Sequence, residues 1–269
     1  MGKTRNLLKA LGRIARRPAL LNRVLETADE HREAVSARYG LPQGLPFTDP
    51  QHIVASLDGE VKPYAFLEGG SLPTDLALLK ALARDRPGCS YFEIGTWRGE
   101  SVANVAMHAG TCLTLDLPAE ELRRRGAAPA YIAQQGLFCA GLPNVVRLFG
   151  DSRRMDLSDH HGRYDIVFVD GDHHYDSVLS DTRTAFRLLR DDHSVIVWHD
   201  AGHQPTDQRW EVVRGILDGC PPQGRPLLRR VAHTLCAVYT ARALPELPPG
   251  DQARPRRTFG LHLRSEPLP

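Results

Sequence analysis

Acidic and histidine side chains at predicted strand ends could bind a polar ligand or a cation. Residues 169–175 read Val-Asp-Gly-Asp-His-His-Tyr, and a later apolar run ends in His199 and Asp200. Asp116 and Asp151 end two other apolar runs. Because ligands of open α/β sheets bind outside the carboxyl ends of the strands, these side chains are predicted to face one cleft. Asp is also a common helix cap and strand terminator, so each has an ordinary structural alternative.

A glycine-bearing turn at residues 93–101 is predicted to contact a nucleotide-like ligand. It reads Glu-Ile-Gly-Thr-Trp-Arg-Gly-Glu-Ser between an apolar run and a predicted helix, a geometry that presents backbone N–H groups to a ligand. Its Gly-x-x-x-Gly spacing is not the dinucleotide fingerprint, and it lacks the lysine of a phosphate loop. Glu93 and Glu100 would repel a pyrophosphate but suit an ammonium or sulfonium group.

The turn resembles the first motif of class I S-adenosylmethionine (SAM) methyltransferases. The form Glu-x-Gly-x-x-x-Gly-x-Ser is most similar to the catechol O-methyltransferase branch and its bacterial relatives. The resemblance implies SAM as the cofactor, with Glu93 and Gly95 against its methionine part. It also implies that Ser101 binds the methionine carboxylate. The alternative is a strand-to-helix turn in another doubly wound protein.

The same resemblance assigns further cofactor contacts. A carboxylate such as Asp116 can accept hydrogen bonds from both ribose hydroxyls, and in the methyltransferase family the residue at this position does so. Asp151, beside Ser152, would approach the adenine amino group. Trp97 would pack on the methionine chain or belong to the core. The predicted cofactor-binding residues are Glu93, Gly95, Trp97, Gly99, Ser101, Asp116, Asp151, Ser152 and Asp170, with Gly70 and Ser71 from the loop before the first strand.

Asp170, His199 and Asp200 are the predicted metal ligands. In the metal-dependent catechol-type enzymes, an Asp and an Asp-Asn pair at these strand ends hold a divalent cation, and in this chain His-Asp replaces the pair. Magnesium prefers oxygen ligands, whereas an imidazole favours manganese, iron or zinc. Assistance by magnesium or manganese is therefore a hypothesis. The alternative is that Asp170 binds the SAM amino group while Asp200 organises the substrate loop.

His173 is the predicted general base, and Asp170 is the other predicted catalytic residue. Methyl transfer from a sulfonium requires in-line placement of the acceptor and removal of its proton. Catechol-type enzymes place a lysine three residues after the first metal Asp, and this chain has His173 there. A histidine with an unperturbed pKa of about 6.5 suits the task near neutral pH. His174 and His199 are the alternatives.

The elements that would position these residues alternate between strands and helices from about residue 72 to residue 240. Alternation of this kind predicts helices on both faces of a parallel sheet. The predicted fold is α/β: a Rossmann-like, doubly wound, mostly parallel seven-stranded sheet with a C-terminal antiparallel hairpin. The predicted strands are residues 91–94, 111–117, 145–149, 164–169 and 195–198, and the hairpin is 227–231 with 235–239.

The chain is divided into a leader over residues 1–60, a methyltransferase domain over residues 61–242 and a tail over residues 243–269. The leader begins with a basic amphipathic helix that Pro18 ends, followed by a second helical stretch over residues 19–37. The basic helix could contact a membrane surface or nucleic acid, or pack on the domain or on the second subunit of a homodimer. The tail is predicted to be disordered.

Composition narrows the class of protein. With 269 residues, 42% hydrophobic and 25% charged, the chain is typical of globular proteins, and its net charge of +2 predicts no nucleic-acid partner. Five scattered cysteines favour reduced thiols in the cytoplasm. We expect O-methylation of a small molecule or a sugar-bearing metabolite. The alternatives are a SAM-fold binding module that has lost catalysis and a metal-dependent hydroxylase or hydrolase.

Overall fold

A computed structural model describes residues 9, 11, 12, 15, 28–67, 69–254 and 257–267 of the chain. The strands in this part are β1 (Phe47–Thr48), β2 (Ser90–Ile94), β3 (Thr111–Asp116), β4 (Val145–Phe149), β5 (Ile166–Val169), β6 (Val195–Trp198), β7 (Leu228–Val231) and β8 (Ala237–Thr240). They form one sheet with the spatial order β1-β7-β8-β6-β5-β2-β3-β4. Only β8 runs antiparallel to its neighbours β6 and β7. The predicted α/β fold with a C-terminal hairpin is confirmed.

Helices connect the parallel strands. The α-helices with described bounds are α1 (Ala28–Tyr39), α2 (Pro73–Arg84), α3 (Glu100–Ala106), α4 (Ala119–Arg124), α5 (Pro129–Ile132), α6 (Tyr175–Leu188) and α7 (Trp210–Gly219). Helix α2 begins with Pro73 in its first turn, where a missing N–H costs nothing. The Asp75 carboxylate accepts a hydrogen bond from the Leu72 N–H at 2.7 Å and so caps the same helix.

The sheet has eight strands rather than the predicted seven. The additional strand, β1, lies within residues 40–50, where three prolines and Gly44 are typical of a linker. A strand of two residues is too short to show an alternating pattern. It forms because the edge of β7 offers backbone partners: Arg230 N–H donates to Pro46 O at 2.8 Å, and Ala232 N–H donates to Thr48 O at 3.0 Å.

The central strands are apolar on both faces, as expected for a parallel sheet that is covered by helices on each side. In β5, Val167 and Val169 belong to one apolar layer, whereas Ile166 and Phe168 belong to the other. All four side chains are buried. The strand ends that carry the predicted site residues therefore stand on a rigid, close-packed support.

The described parts of the leader and tail contact the sheet and its helices. In α1, Arg38 forms an ion pair with Asp218 of α7 at 2.7 Å. In the tail, Arg257 lies 2.6 Å from Asp49. The basic helix predicted before Pro18 and the stretch over residues 19–27 fall outside the described residues, apart from four single positions. The division into leader, domain and tail stays a prediction.

Two further findings bear on the class of protein. All five cysteines are buried thiols that form no disulfide. Within the described ranges, every helix is too short or too polar to cross a membrane.

Candidate active site

A cavity of about 490 Å³ opens at the carboxyl ends of the parallel strands. The turn after β2 lines one side, and the ends of β5 and β6 line the other. The predicted site residues on its wall are Gly70, Ser71, Gly95, Trp97, Gly99, Ser101, Asp116, Asp151, Ser152, Asp170, His173, His199 and Asp200. The structure therefore brings these residues together, while their individual roles stay predictions.

Glu93 does not line the cavity, which corrects its placement against the ligand. Its side chain is fully buried, and its Oε2 accepts a hydrogen bond from the Tyr91 hydroxyl. Residues two apart on a strand face the same side of the sheet, so Glu93 points with Tyr91 into the apolar layer that contains Leu79 and Val102. The Ser101 hydroxyl also hydrogen-bonds to it. Glu93 thus supports the turn from beneath.

Burial raises the pKa of Glu93 to about 8. The ordinary pKa of glutamate is 4.5, so protonated Glu93 makes its full contribution to the free energy of unfolding below that pH. The contribution is lost as the pH rises toward 8. Gln cannot ionise, and its carbonyl can still accept the Tyr91 hydrogen bond. We expect Glu93→Gln to exceed the wild type in unfolding free energy by about 2–4 kcal/mol at pH 8, and by much less at pH 5.

Urea unfolding between pH 5 and pH 9 measures this difference. Glu33→Gln on the exposed side of α1 is the matched control, because Glu33 is solvent-exposed and the same chemical change there removes no buried charge. A stability difference for Glu93→Gln that does not depend on pH would contradict the assignment of a buried, protonated Glu93.

The two glycines of the turn are required by close contacts. Gly95 has φ +90°, and a Cβ atom at this position would lie 2.1 Å from the Asp170 carbonyl oxygen. A side chain here would push the end of β2 away from the end of β5. Gly99 has φ +83°, and its Cβ would lie 2.6 Å from Cys139 Sγ. The glycines therefore let the turn pack closely against Asp170 and Cys139.

An aromatic pair forms another wall of the cavity. The rings of Trp97 and Tyr131 stack with their centroids 4.7 Å apart and their planes at 16°. The Arg98 guanidinium lies 4.0 Å from the Trp97 ring centroid on a cation–π contact. A Cβ at Gly69 would come within 2.9 Å of the same indole ring. Trp97 is thus half-buried at the cavity rather than a core aromatic.

Asp116 is held in a fixed orientation at the end of β3. Its Oδ2 accepts hydrogen bonds from the Trp97 N–H and from the Gln135 side chain, each at 3.1 Å. Its Oδ1 accepts from the Leu117 N–H at 3.0 Å. A carboxylate offers about four lone-pair sites, so Asp116 retains acceptor capacity for a ligand hydroxyl.

Both carboxylate oxygens of Asp151 accept hydrogen bonds from neighbouring residues. Its Oδ2 accepts a hydrogen bond from Arg125 at 2.9 Å, and its Oδ1 accepts from the Arg153 N–H at 3.0 Å. These contacts tie the loop after β4 to the segment after α4. Asp151 lines the cavity, but a ligand amino group would have to share it with these donors.

His199 lies at the centre of a carboxylate cluster. Its Nε2 lies 3.0 Å from Asp75 Oδ2. Its Nδ1 lies 3.2 Å from both Asp170 Oδ1 and Asp200 Oδ2, is sealed from solvent and makes no well-oriented hydrogen bond. Burial lowers the pKa of His199, but the negative charge of Asp170 and its neighbours outweighs burial and raises the pKa well above its ordinary value.

His173 approaches the same cluster from the side of solvent. Its Nε2 lies 3.1 Å from Asp200 Oδ2, and 37% of its side chain is exposed. One ligand atom each from Asp170, His173 and Asp200 lie within 4.8 Å of one another. This group differs from the predicted metal set in containing His173 where the prediction has His199. Burial raises the pKa of Asp200, but the hydrogen bond and charge of His199, with His173 and Arg209, lower it below its ordinary value.

The sequence analysis missed three residues that line the cavity, Arg98, Tyr131 and Asp181, and it missed Asp75, which lies behind His199. Asp75 is fully buried and contacts His199 across 124 positions of the chain, a contact that no local pattern reveals. Asp181 could have been identified from the sequence. It lies on the buried face of α6 with Val178 and Ala185, and an acidic residue on the apolar face of a helix suggests a functional or paired carboxylate.

Comparisons with known proteins indicate a family for the central part of the chain. Residues 92–201 match a family model described as a methyltransferase domain. This match contains the turn after β2, Asp116, Asp151 and the cluster at the ends of β5 and β6. A search of curated proteins gives no match.

Several solved structures are similar to the chain at low identity. The SAH-bound methyltransferase PaMTH1 of Podospora anserina is 17% identical over 80% of this chain and 87% of its own, with a TM-score of 0.42. The YcgJ protein of Bacillus subtilis is 20% identical over 48% and 52%, with a TM-score of 0.35. A SAM-dependent methyltransferase of Mesorhizobium loti is 20% identical over 45% and 49%, with a TM-score of 0.34. The chain spans about half the length of the latter two.

Proposed function

Because residues 92–201 match a methyltransferase domain, we propose that the chain is a SAM-dependent methyltransferase of the class I type. Its proposed reaction is methylation of an oxygen atom of a small molecule or a sugar-bearing metabolite, with the help of a divalent cation, magnesium or manganese. The observation that carries this proposal is one cavity with the glycine turn on one wall and the Asp170, His199 and Asp200 cluster on the other. SAM supplies an activated methyl group on a sulfonium, and the carboxylates of this cavity favour a cationic ligand.

The turn side of the cavity is suited to the cofactor. Gly95 and Gly99 give the backbone close access to a ligand, and Ser71 lies on the same wall. Asp116 keeps acceptor capacity and is oriented by three donors. We assign Asp116 to the ribose hydroxyls and the Gly70–Ser71 loop, with Ser101, to the methionine end.

The cluster at the ends of β5 and β6 fits a divalent cation. Atoms bound to one ion at about 2.1 Å lie roughly 3 Å apart when they are adjacent ligands, and His199 Nδ1 lies 3.2 Å from Asp170 Oδ1 and from Asp200 Oδ2. The Nε2 atom of His199 lies 3.0 Å from Asp75 Oδ2. Metal-bound histidines commonly make such a contact with a carboxylate through the nitrogen that does not bind the metal. A doubly protonated imidazole would also satisfy these carboxylates, so metal titration decides between the two.

A bound cation would lower the pKa of an acceptor hydroxyl and orient it. The proton then needs a base, and His173 is the best placed of the three candidates. It lines the cavity, and Asp200 at 3.1 Å from Nε2 orients its ring. His174 is 78% exposed and bonds Asp172 instead, while His199 is buried with both nitrogens facing carboxylates.

Asp116→Ala tests the cofactor assignment. It removes the acceptor for two ribose hydroxyls, and hydrogen bonds to a charged group are each worth about 1.5–3 kcal/mol, so we expect SAM and its demethylated product SAH to bind at least about 100-fold more weakly. Isothermal titration calorimetry of both ligands, with and without magnesium or manganese, measures the loss.

Asp159→Ala, an exposed carboxylate in a short turn, is the matched control and should bind like the wild type. Failure of the wild-type protein to bind either ligand under any metal condition would overturn the proposed function. Equal binding by wild type and Asp116→Ala would leave the function standing and remove Asp116 from the site.

A further inference from the structure

Arg230 on β7 is a buried cation that the proposed methyl transfer leaves without a role. Its side chain is fully buried, and burial lowers its pKa to about 10, so the guanidinium is still charged at neutral pH. Its hydrogen-bond acceptors among the described residues are all backbone carbonyl oxygens: Cys236 O at 2.8 Å, Asp207 O at 3.3 Å and Gln204 O at 3.5 Å. Burying a charge that only neutral groups solvate is costly, which points to a role in shaping the segments that carry these carbonyls.

Two of these carbonyls belong to the loop over residues 201–209, between β6 and α7, which we call the β6 loop. The two ends of this loop meet, because the Arg209 N–H donates to Ala201 O at 2.9 Å. The Arg230 guanidinium lies against its interior: a Cβ atom at Gly202 would come within 2.4 Å of Arg230 Nη2. In a compact loop of this kind, side chains of the loop itself usually fill the interior, and here the guanidinium from β7 does so.

The shape of the β6 loop bears directly on Asp200, the residue that precedes it. Asp200 has φ +53°, a left-handed conformation that is uncommon for residues other than glycine and that persists only where the surrounding structure enforces it. Its Oδ2 lies 3.1 Å from His173 Nε2 and 3.2 Å from His199 Nδ1. At the other end of the loop, Arg209 Nη1 lies 3.8 Å from the same oxygen. A shift of the loop would therefore move Asp200 relative to both histidines.

The segment around β1 supports the same arrangement from the outer side of the sheet. The Phe47 ring centroid lies 5.4 Å from Arg230 Cζ on a cation–π contact. The Gln208 side-chain amide, within the β6 loop, donates to Leu45 O at 3.0 Å. Phe47 and Leu45 lie outside residues 92–201, the part of the chain that matches the methyltransferase domain. The segment before that part thus reaches the site through Arg230 and the β6 loop.

We propose that Arg230 is a positioning residue for the reaction: its guanidinium fixes the β6 loop and so holds Asp200 in place beside His173 and His199. Arg230 itself is not on the cavity wall, so it acts through Asp200 rather than on a ligand. The effect on rate rests on the proposed function, whereas the effect on the loop can be measured without turnover.

Arg230→Met tests the inference, because methionine keeps an apolar stem of similar length and removes every donor. We expect amide exchange across residues 201–209 to become faster. We also expect kcat for methyl transfer to fall about 100-fold, the cost of misplacing a reacting group by roughly 1 Å. SAH affinity should stay within a few-fold of the wild type, since the turn after β2 and Asp116 stand on other strands. Hydrogen–deuterium exchange, transfer of labelled methyl and calorimetry measure the three quantities.

Gly202→Ala should give the same result with Arg230 present, because its Cβ would displace the guanidinium, and it decides the question if Arg230→Met does not fold. The double variant should be no worse than the more impaired single variant, since both changes disrupt one contact. In Arg230→Ala, added guanidinium ion, at concentrations that leave the wild type folded, should partly restore kcat and slow the exchange of the loop. Urea at the same concentrations should not, which separates positioning from a general loss of stability.

Arg229→Met is the matched control. Arg229 is also a buried arginine of β7, but neighbouring residues of a strand face opposite sides of the sheet, and its guanidinium pairs with Glu246 at 2.9 Å. Its substitution should lower the thermal unfolding midpoint without changing loop exchange or kcat.

Wild-type loop exchange in both Arg230→Met and Gly202→Ala, or a loss of kcat in Arg229→Met as large as that in Arg230→Met, would overturn the inference and leave the proposed function intact. If the wild type neither binds SAH nor transfers methyl from SAM, the proposed function fails, and loop exchange alone decides whether Arg230 fixes the β6 loop.

Discussion

His173→Ala is expected to lower kcat for methyl transfer by about 10²–10⁴-fold, the usual contribution of a positioned general base. The side chain lines the cavity but follows β5 rather than belonging to the turn after β2, so SAH affinity should change little. Transfer of labelled methyl from SAM to a panel of phenols, catechols and sugar-bearing hydroxyl compounds measures the rate. Because the general base is lost, the remaining activity should rise toward higher pH, where the acceptor hydroxyl ionises by itself.

His174→Ala is the matched control for this experiment. It removes the neighbouring imidazole, which is 78% exposed and bonds Asp172, and should leave kcat within a few-fold of the wild type. Added imidazole should partly restore His173→Ala and have no effect on His174→Ala. Equal losses in the two variants, or a His173→Ala enzyme with wild-type kcat and an unchanged pH profile, would remove His173 from the reaction.

The convergence of the site residues was predictable from local sequence. Each of Asp116, Asp170 and His199 lies at or just after the end of a strong apolar run, and the carboxyl ends of parallel strands meet at one edge of the sheet. The glycines of the turn were also recognisable from their spacing in the sequence. This is why the fold class and many of the polar residues on the cavity wall follow from the sequence.

Two of the departures from prediction depend on contacts between distant parts of the chain, whereas that of Glu93 follows from its position on the strand. Glu93 is within the motif, but the alternation of strand side chains places it in the apolar layer beneath the turn. Strand β1 exists only because β7 presents a free edge. Asp75 lies in a helix start that is complete without His199, and only the folded chain shows their contact at 3.0 Å.

The contact with Asp75 bears on the protonation state of His199. A histidine in a set of carboxylates could act as a cation or as a neutral ligand, and the sequence does not decide between them. Asp75 accepts hydrogen bonds from the backbone N–H groups of Leu72 and Leu235 at 2.7 Å and 2.8 Å, so it is held firmly beside Nε2. A proton on Nε2 then leaves Nδ1 facing Asp170 and Asp200, where either a second proton or a bound metal cation relieves the repulsion.

We therefore expect His199→Ala to bind manganese at least about 100-fold more weakly than the wild type, since loss of even an outer contact to a metal ligand costs about 10–100-fold. His199→Asp should retain cation binding but shift the preference from manganese toward magnesium, because the ligand set becomes all oxygen. Calorimetry with each metal, and the electron paramagnetic resonance signal of free manganese, measure these affinities without turnover.

His173→Ala separates the two possible ligand sets, because His173 and His199 both approach Asp200, at 3.1 Å and 3.2 Å. If His199 is the ligand, His173→Ala keeps manganese affinity while it loses methyl transfer, and the two histidines divide cation binding from proton removal. If His173→Ala loses the metal and His199→Ala keeps it, the ligands are Asp170, His173 and Asp200, and His199 is the imidazolium that holds the two carboxylates in place. Manganese binding by neither the wild type nor any variant would instead mean that His199 alone neutralises the cluster, so that methyl transfer proceeds by acceptor placement and the base.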